Sequence, residues 1–202
     1  ARVARLGRAA CEGLLAGGVL PVVKHMPGHG RARVDSHQAL PVVDAALAQL
    51  EATDFAPFRA LADMPWAMTA HVVFGAIDAR RPATLSPVVI ERVIRGSIGF
   101  AGVLVSDDIG MGALAGGFGA GGFGERAAGA LAAGCDVAMH CSGRLDEMEA
   151  AAAGASPLTP EAAARIARGE ALRRASFREF DRRAAEARFD ALAGALTGAI
   201  AR

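Results

Sequence analysis

The feature that most constrains this chain is an alternation: stretches with apolar residues at helical spacing take turns with short apolar runs that end in polar residues. Val3, Leu6, Ala10 and Leu14 mark a first helix, which Gly17-Gly18 closes before the apolar run 19–23. The pattern predicts a helix over 41–62, a strand over 67–70, a helix opened by Ser86-Pro87 and a strand over 102–105. A helix over 125–133 then stops at Gly134, the short run 136–140 follows, and a further helix covers 145–153. Such alternation builds a parallel α/β sheet, because each crossover helix carries the chain back to the edge from which the last strand started. Sites in these sheets lie at the carboxyl ends of the strands. Those ends carry Lys24-His25, His71, Ser106-Asp107-Asp108 and His140-Cys141.

Beyond Thr159-Pro160 the chain is rich in Ala, Arg and Glu at helical spacing, which predicts two outer amphipathic helices rather than a second domain. The glycine-rich run 116–124 lacks the Gly-Lys-Ser/Thr ending of a phosphate cradle and is expected to be a mobile surface loop.

Charge excludes several partners. The formal net charge is +1 and no basic block is interleaved with aromatics, so neither nucleic acid nor an anionic membrane has an electrostatic reason to bind. No apolar run approaches the roughly 20 residues of a membrane helix, and arginines punctuate the first residues, which points to a cytoplasmic location. Cys11, Cys135 and Cys141 are odd in number and unpaired by spacing, and are expected to be buried thiols. Small molecules are the expected partners. Lys24 is the only lysine in a chain whose other cations are arginines, so a compact ammonium is singled out at one strand end.

The densest chemistry follows that lysine. Three histidines, His25, His29 and His37, fall within thirteen residues, yet Pro27 and Gly28 exclude the helix that would present His25 and His29 to one metal ion. Asp35 and His37 form an i, i+2 pair, in which a carboxylate can hold one ring nitrogen and leave the other to exchange protons. A loop histidine satisfied by its neighbour is an equally good reading of that pair alone. The pair Asp107-Asp108 directly follows a buried run; it reads either as site chemistry or as a helix cap with a solvated neighbour.

The segment 24–41, KHMPGHGRARVDSHQALP, together with SDDIGM at 106–111, resembles the glycoside hydrolase family 3 β-N-acetylhexosaminidases of peptidoglycan recycling. The resemblance runs on through MTAHVVF at 68–74, PATLSPVVI at 82–90, RGSIGFAGVLVSDD at 95–108 and AGCDVAMHC at 133–141, covering residues 1–170. It implies an α/β fold that is the C-terminal half of a (β/α)8 TIM barrel with extra C-terminal helices: one catalytic domain portion, with barrel units in 1–157 and outer helices in 158–202. It implies Asp107 as nucleophile, His37 as general acid/base oriented by Asp35, and Lys24 and His25 as binders of substrate hydroxyls. Asp108 stays unassigned.

A retaining mechanism of this kind needs no cofactor and no metal. Histidine is a departure from the usual second carboxyl, workable because its ordinary pKa suits both proton roles, and Asp35 is expected to raise it slightly. The implied substrate is N-acetylglucosamine β-linked to anhydro-N-acetylmuramic acid in a muropeptide, or a small glycoside, cleaved by a monomeric full-length enzyme. The alternatives are a non-catalytic half-barrel, a β-glucosidase relative, and phosphorolysis, since a neutral histidine would not repel phosphate. A closed barrel usually takes about 250 residues. The front half is therefore expected to be absent here, a reading that Ala1 in place of methionine supports, and an isolated half would expose two strand edges.

Overall fold

The computed structural model describes residues 2–116 and 121–200, without side chains over 195–200. Along the chain run α1 (Arg2–Ala16), β1 (Val22–Met26), β2 (Val42–Val43), α2 (Leu47–Gln49), a π-type turn (Leu50–Asp54) and α3 (Ala56–Arg59). β3 (Trp66–Thr69), β4 (Val73–Phe74), β5 (Asp78–Pro82), a π-type helix (Val89–Ser97) and β6 (Val103–Asp108) follow. The last elements are α4 (Phe123–Ala133), β7 (Val137–Met139), α5 (Leu145–Gly154), α6 (Pro160–Ser176) and α7 (Arg182–Ile200).

Four of the strands form one sheet in the order β1-β3-β6-β7, and every pairing in it is parallel. The α/β expectation holds, with the four predicted strands side by side in chain order. The two central strands are the buried ones: β3 is buried beyond Trp66, and in β6 all but the final Asp108 are buried, as a strand covered on both faces requires, whereas β1 at one edge alternates and β7 at the other is half-buried. Helix ends follow local chemistry. Ser86 Oγ accepts the Val89 N–H at 3.2 Å, and Thr159 Oγ1 accepts the Ala162 N–H at 3.1 Å with Pro160 in the first turn of α6. Gly134 ends α4 at φ 113°, a left-handed conformation that a side chain would strain.

The core lies between the sheet and its helices, centred on Leu50, Phe55, Phe74, Ile94, Phe100 and Leu104. Phe55 meets Phe74 edge-on with ring centroids 6.3 Å apart. At the amino end of the strands, Asp136 is clamped. Its Oδ2 accepts from Arg95 Nη2 and from the Leu104 N–H, both at 2.8 Å, and its Oδ1 accepts from Arg165 Nη1 at 2.6 Å. Arg95 also donates to the carbonyls of Phe100 and Gly102. Burial lowers the Arg95 pKa against the pull of Asp136, and the ring of partners is what makes that buried charge tolerable.

Several expectations need correction. The first strand is Val22–Met26 rather than 19–23, because Val19 to Pro21 form the connection into it. The stretch 41–62 is not one helix: Val42–Val43 pairs with Val73–Phe74, which pairs with β5 in a second small sheet. The apolar stripe of α1 is turned outward. Val3, Leu6 and Leu14 are exposed, while Cys11 and Leu15 face the core. Cys11 and Cys135 are buried thiols, but Cys141 is exposed, since it lies in the open turn beyond β7. The surface-loop expectation for 116–124 falls partly on 117–120, which lie outside the described residues. No helix among the described residues is long and apolar enough to cross a membrane.

Candidate active site

The carboxyl ends of β1, β3 and β6 bring the singled-out residues to one edge of the sheet. Asp107, the fifth residue of β6, is 8% exposed. Its Oδ1 accepts the Asp108 N–H at 2.9 Å, its own N–H reaches Thr69 Oγ1 at 3.3 Å, and His25 Nε2 stands 3.5 Å from its Oδ2. β1 and β6 are not neighbours, so His25 reaches Asp107 past β3. Desolvation lowers the His25 pKa despite the Asp107 carboxylate, which makes the contact one between a neutral ring and an anion.

Lys24 precedes His25 on an exposed position of β1, and among the described residues its ammonium has no hydrogen-bond or ion-pair partner. The peptide between them is cis, as is Met26-Pro27. On the exposed side of β1 that ammonium is open to a ligand.

Asp35 and His37 sit together as predicted. Asp35 Oδ1 accepts both the His37 N–H at 3.0 Å and His37 Nδ1 at 2.8 Å. The bonds from the His37 backbone and ring hold the Asp35 carboxyl below its ordinary pKa. With Nδ1 occupied, Nε2 is the nitrogen left to exchange protons, and the ring is 76% exposed.

The loop carrying the dyad is tied to the segment just after Asp107: Gly112 N–H donates to His37 O and Ala113 N–H to Ser36 O, both at 3.1 Å. A Cβ on Gly112 would stand 2.6 Å from His37 O, so the loop rests on a bare backbone. Within the loop itself, His29 Nε2 lies 3.2 Å from Ser36 Oγ.

Asp108 serves the backbone rather than the pocket. Its Oδ1 accepts from Gly110 N–H at 2.9 Å and Cys141 N–H at 3.2 Å, and His140 Nδ1 lies 3.3 Å away. His140 in turn reaches Glu147 Oε2 and Ser142 Oγ, each at 2.9 Å. This knot joins the ends of β6 and β7. His71, beneath the site and fully buried, contacts Thr84 Oγ1 through Nδ1 at 2.7 Å and Asp108 O through Nε2 at 3.0 Å. The sequence marks His71 by its place after a strand, but nothing in it marks Thr69 or Thr84, whose partners are distant in the chain. Among the described residues no three His, Cys, Asp or Glu side chains are grouped to hold a metal ion.

Comparison with known proteins agrees with this arrangement. The pattern of the glycosyl hydrolase family 3 N terminal domain matches residues 1–168. A beta-hexosaminidase of Chromobacterium violaceum is 40% identical over 168 residues, covering 82% of this chain and 46% of its own. One from Neisseria gonorrhoeae strain FA 1090 is 44% identical over 142 residues, 69% of this chain and 38% of its own. The chain thus spans about half or less of the length of these relatives. NagZ from Neisseria gonorrhoeae, solved in complex with N-trifluoroacetyl-D-glucosamine, superposes with a TM-score of 0.70 at 36% identity, over 85% of this chain and 50% of that one. A family 3 beta-N-acetylglucosaminidase from Paenibacillus sp. FPU-7 gives 0.71 at 37%, over 86% and 34%. With a family pattern spanning most of its length and relatives this similar in sequence and fold, the chain belongs to glycosyl hydrolase family 3.

Proposed function

We propose that this chain carries the catalytic side chains of a retaining exo-β-N-acetylglucosaminidase that removes terminal N-acetylglucosamine from muropeptide fragments. The observation that carries the reading is the convergence at one sheet edge. A buried carboxylate, Asp107, and an exposed histidine, His37, already oriented by Asp35, are tied together through the Gly112-Ala113 backbone. The sugar named in the gonococcal complex supports the substrate class.

In this reading Asp107 attacks the anomeric carbon while His37 Nε2 gives its proton to the departing glycosidic oxygen, so the aglycone leaves as an alcohol. The sugar is then held as an ester of Asp107. Water attacks that carbon from the other face, His37 takes its proton back, and the β-configured sugar leaves with Asp107 regenerated. Lys24 and the neutral His25 bind sugar hydroxyls; the ammonium offers three donors, the imidazole one donor and one acceptor. No step calls on a cofactor. The four strand-helix units belong to an eight-stranded barrel in this account, with residues 158–202 as helices on its outside, and the enzyme works in the cytoplasm.

The test is release from an aryl N-acetyl-β-glucosaminide by the 202-residue chain, by its Asp107→Ala variant and by a version extended to the length of its relatives. Turnover that depends on Asp107 in either wild-type protein is expected. A folded extended protein with an intact site and no turnover would instead favour a non-catalytic binding module. Running the assay in phosphate buffer separates the two fates of the ester: free sugar alone means hydrolysis, and sugar 1-phosphate means phosphorolysis.

A further inference from the structure

We propose that Thr69, Thr84 and His71 are positioning residues: together they form a hydrogen-bonded bracket that fixes the backbone on either side of the Asp107 carboxylate. The role in turnover rests on the glycosidase reading above, whereas the bracket itself stands on geometry.

The contacts close a path. The Asp107 N–H reaches Thr69 Oγ1 at 3.3 Å; Thr69 Oγ1 and Thr84 Oγ1 are 2.8 Å apart; Thr84 Oγ1 and His71 Nδ1 are 2.7 Å apart; His71 Nε2 lies 3.0 Å from Asp108 O. Counting protons gives each bond its direction. A carbonyl oxygen only accepts, so His71 Nε2 carries a hydrogen and donates to Asp108 O. Burial lowers the His71 pKa, so the ring carries that one hydrogen and its Nδ1 is left to accept. The Thr84 hydroxyl therefore donates to His71 Nδ1, its shortest contact, rather than to Ala70 O at 3.1 Å, and its oxygen accepts from Thr69, whose own oxygen accepts the Asp107 amide. Every donor is used, and the imidazole is the neutral Nε2–H tautomer.

All three side chains are fully buried, so no water competes for these bonds and a missing member would leave its neighbours unsatisfied. The bracket grips the amide of residue 107 and the carbonyl of residue 108, which flank the peptide bearing the Asp107 carboxylate. It spans β3, the Ala83–Leu85 turn and β6, and so ties the pitch of the carboxylate to the sheet rather than to the exposed loops. Nucleophilic attack is sensitive to such placement, since reacting atoms must meet along a defined line.

The experiment uses uniformly 15N-labelled chain and reads the imidazole nitrogens of His71 by NMR at neutral pH. A pyrrole-like Nε2 with a pyridine-like Nδ1 is expected; the Nδ1–H tautomer or an imidazolium would overturn the bracket. Thr84→Val, nearly the same shape without the hydroxyl, should shift the Asp107 amide resonance and His71 Nδ1, and Thr84→Ser should restore both. An unmoved Asp107 amide in a folded Thr84→Val protein contradicts the proposal.

In whichever wild-type protein turns over, Thr84→Val should lower kcat by about 10- to 100-fold with KM nearly unchanged, and Thr84→Ser should recover it. A change in KM alone, or none in kcat, sinks the positioning role. If no wild-type protein turns over, the glycosidase reading fails while the NMR result still decides the bracket.

Discussion

The two ends of the parallel sheet handle charge in opposite ways. At the amino end, Asp136 is almost fully buried and spends both oxygens on Arg95, Arg165 and the Leu104 N–H, leaving nothing for a ligand. At the carboxyl end, the Lys24 ammonium has no partner among the described residues, His37 keeps one ring nitrogen free, and Asp107 holds one oxygen at 3.5 Å from a neutral ring. The contrast teaches where this chain invests in stability and where it leaves bonding capacity open for chemistry. A satisfied buried charge rigidifies, whereas an exposed one keeps bonding capacity that a ligand can take over from water.

Substitutions should separate the two ends, starting with the largest effect. His37→Ala should cost about 10²- to 10⁴-fold in kcat/KM, the usual range for a proton-transfer group, with thermal unfolding nearly unchanged because the ring is exposed. Equal losses of activity and stability would break the contrast.

Asp136→Ala should do the reverse. Two arginines and a backbone N–H lose their partner, so denaturant unfolding should report a loss of about 3 kcal/mol, while kcat per folded molecule stays within about twofold. A large kcat effect in the folded fraction would show that the amino end shapes the site as well.

Gly112→Ala sharpens the boundary between the ends. The new Cβ would press on His37 O, and a loss of about 1–3 kcal/mol or an equivalent displacement of the dyad loop is expected. The amide resonances of residues 35–38 should move while those near Asp136 do not.

The smallest effect is in the acid range. The folded Asp35 carboxyl titrates below its ordinary value, so the unfolded chain takes up that proton first as pH falls. The contribution of Asp35 is therefore complete above the ordinary carboxylate range and is lost as pH drops through its lowered folded value. A carboxyl NMR titration should find that lowered midpoint, and His37→Ala should raise it only part of the way, because the backbone N–H of residue 37, the larger of the two influences, still donates to Asp35.

Much of this was legible in the sequence, for physical reasons that differ by region. The central strands β3 and β6 announce themselves because strands covered on both faces are continuous apolar runs, whereas the apolar run 19–23 only leads into β1, which lies at the edge and alternates. The two-residue strands Val42–Val43 and Val73–Phe74 are too short to show any period, and the spacing over 41–62 merges Val42-Val43 into a helix it does not belong to. The stripe of α1 was visible as spacing, but spacing alone does not say which way a helix is turned, and here it faces outward. In the site, Asp35 and His37 are close in sequence and read as a pair. His25 beside Asp107, Asp108 beside His140, and the Thr69-Thr84-His71 path join residues 13 to 82 positions apart, so only the folded sheet reveals them.

The central claim is that Asp107 is the nucleophile that captures the sugar. The direct measurement is mass spectrometry of peptides from a turnover-competent form after brief reaction with a 2-acetamido-2-deoxy-5-fluoro-β-glucosyl fluoride, whose ring fluorine slows hydrolysis of the ester. The account predicts one added fluorosugar on the peptide bearing Asp107, localised to that residue by fragmentation and absent from Asp107→Ala. Turnover that proceeds with the label on Asp108, on Asp35 or nowhere would contradict it.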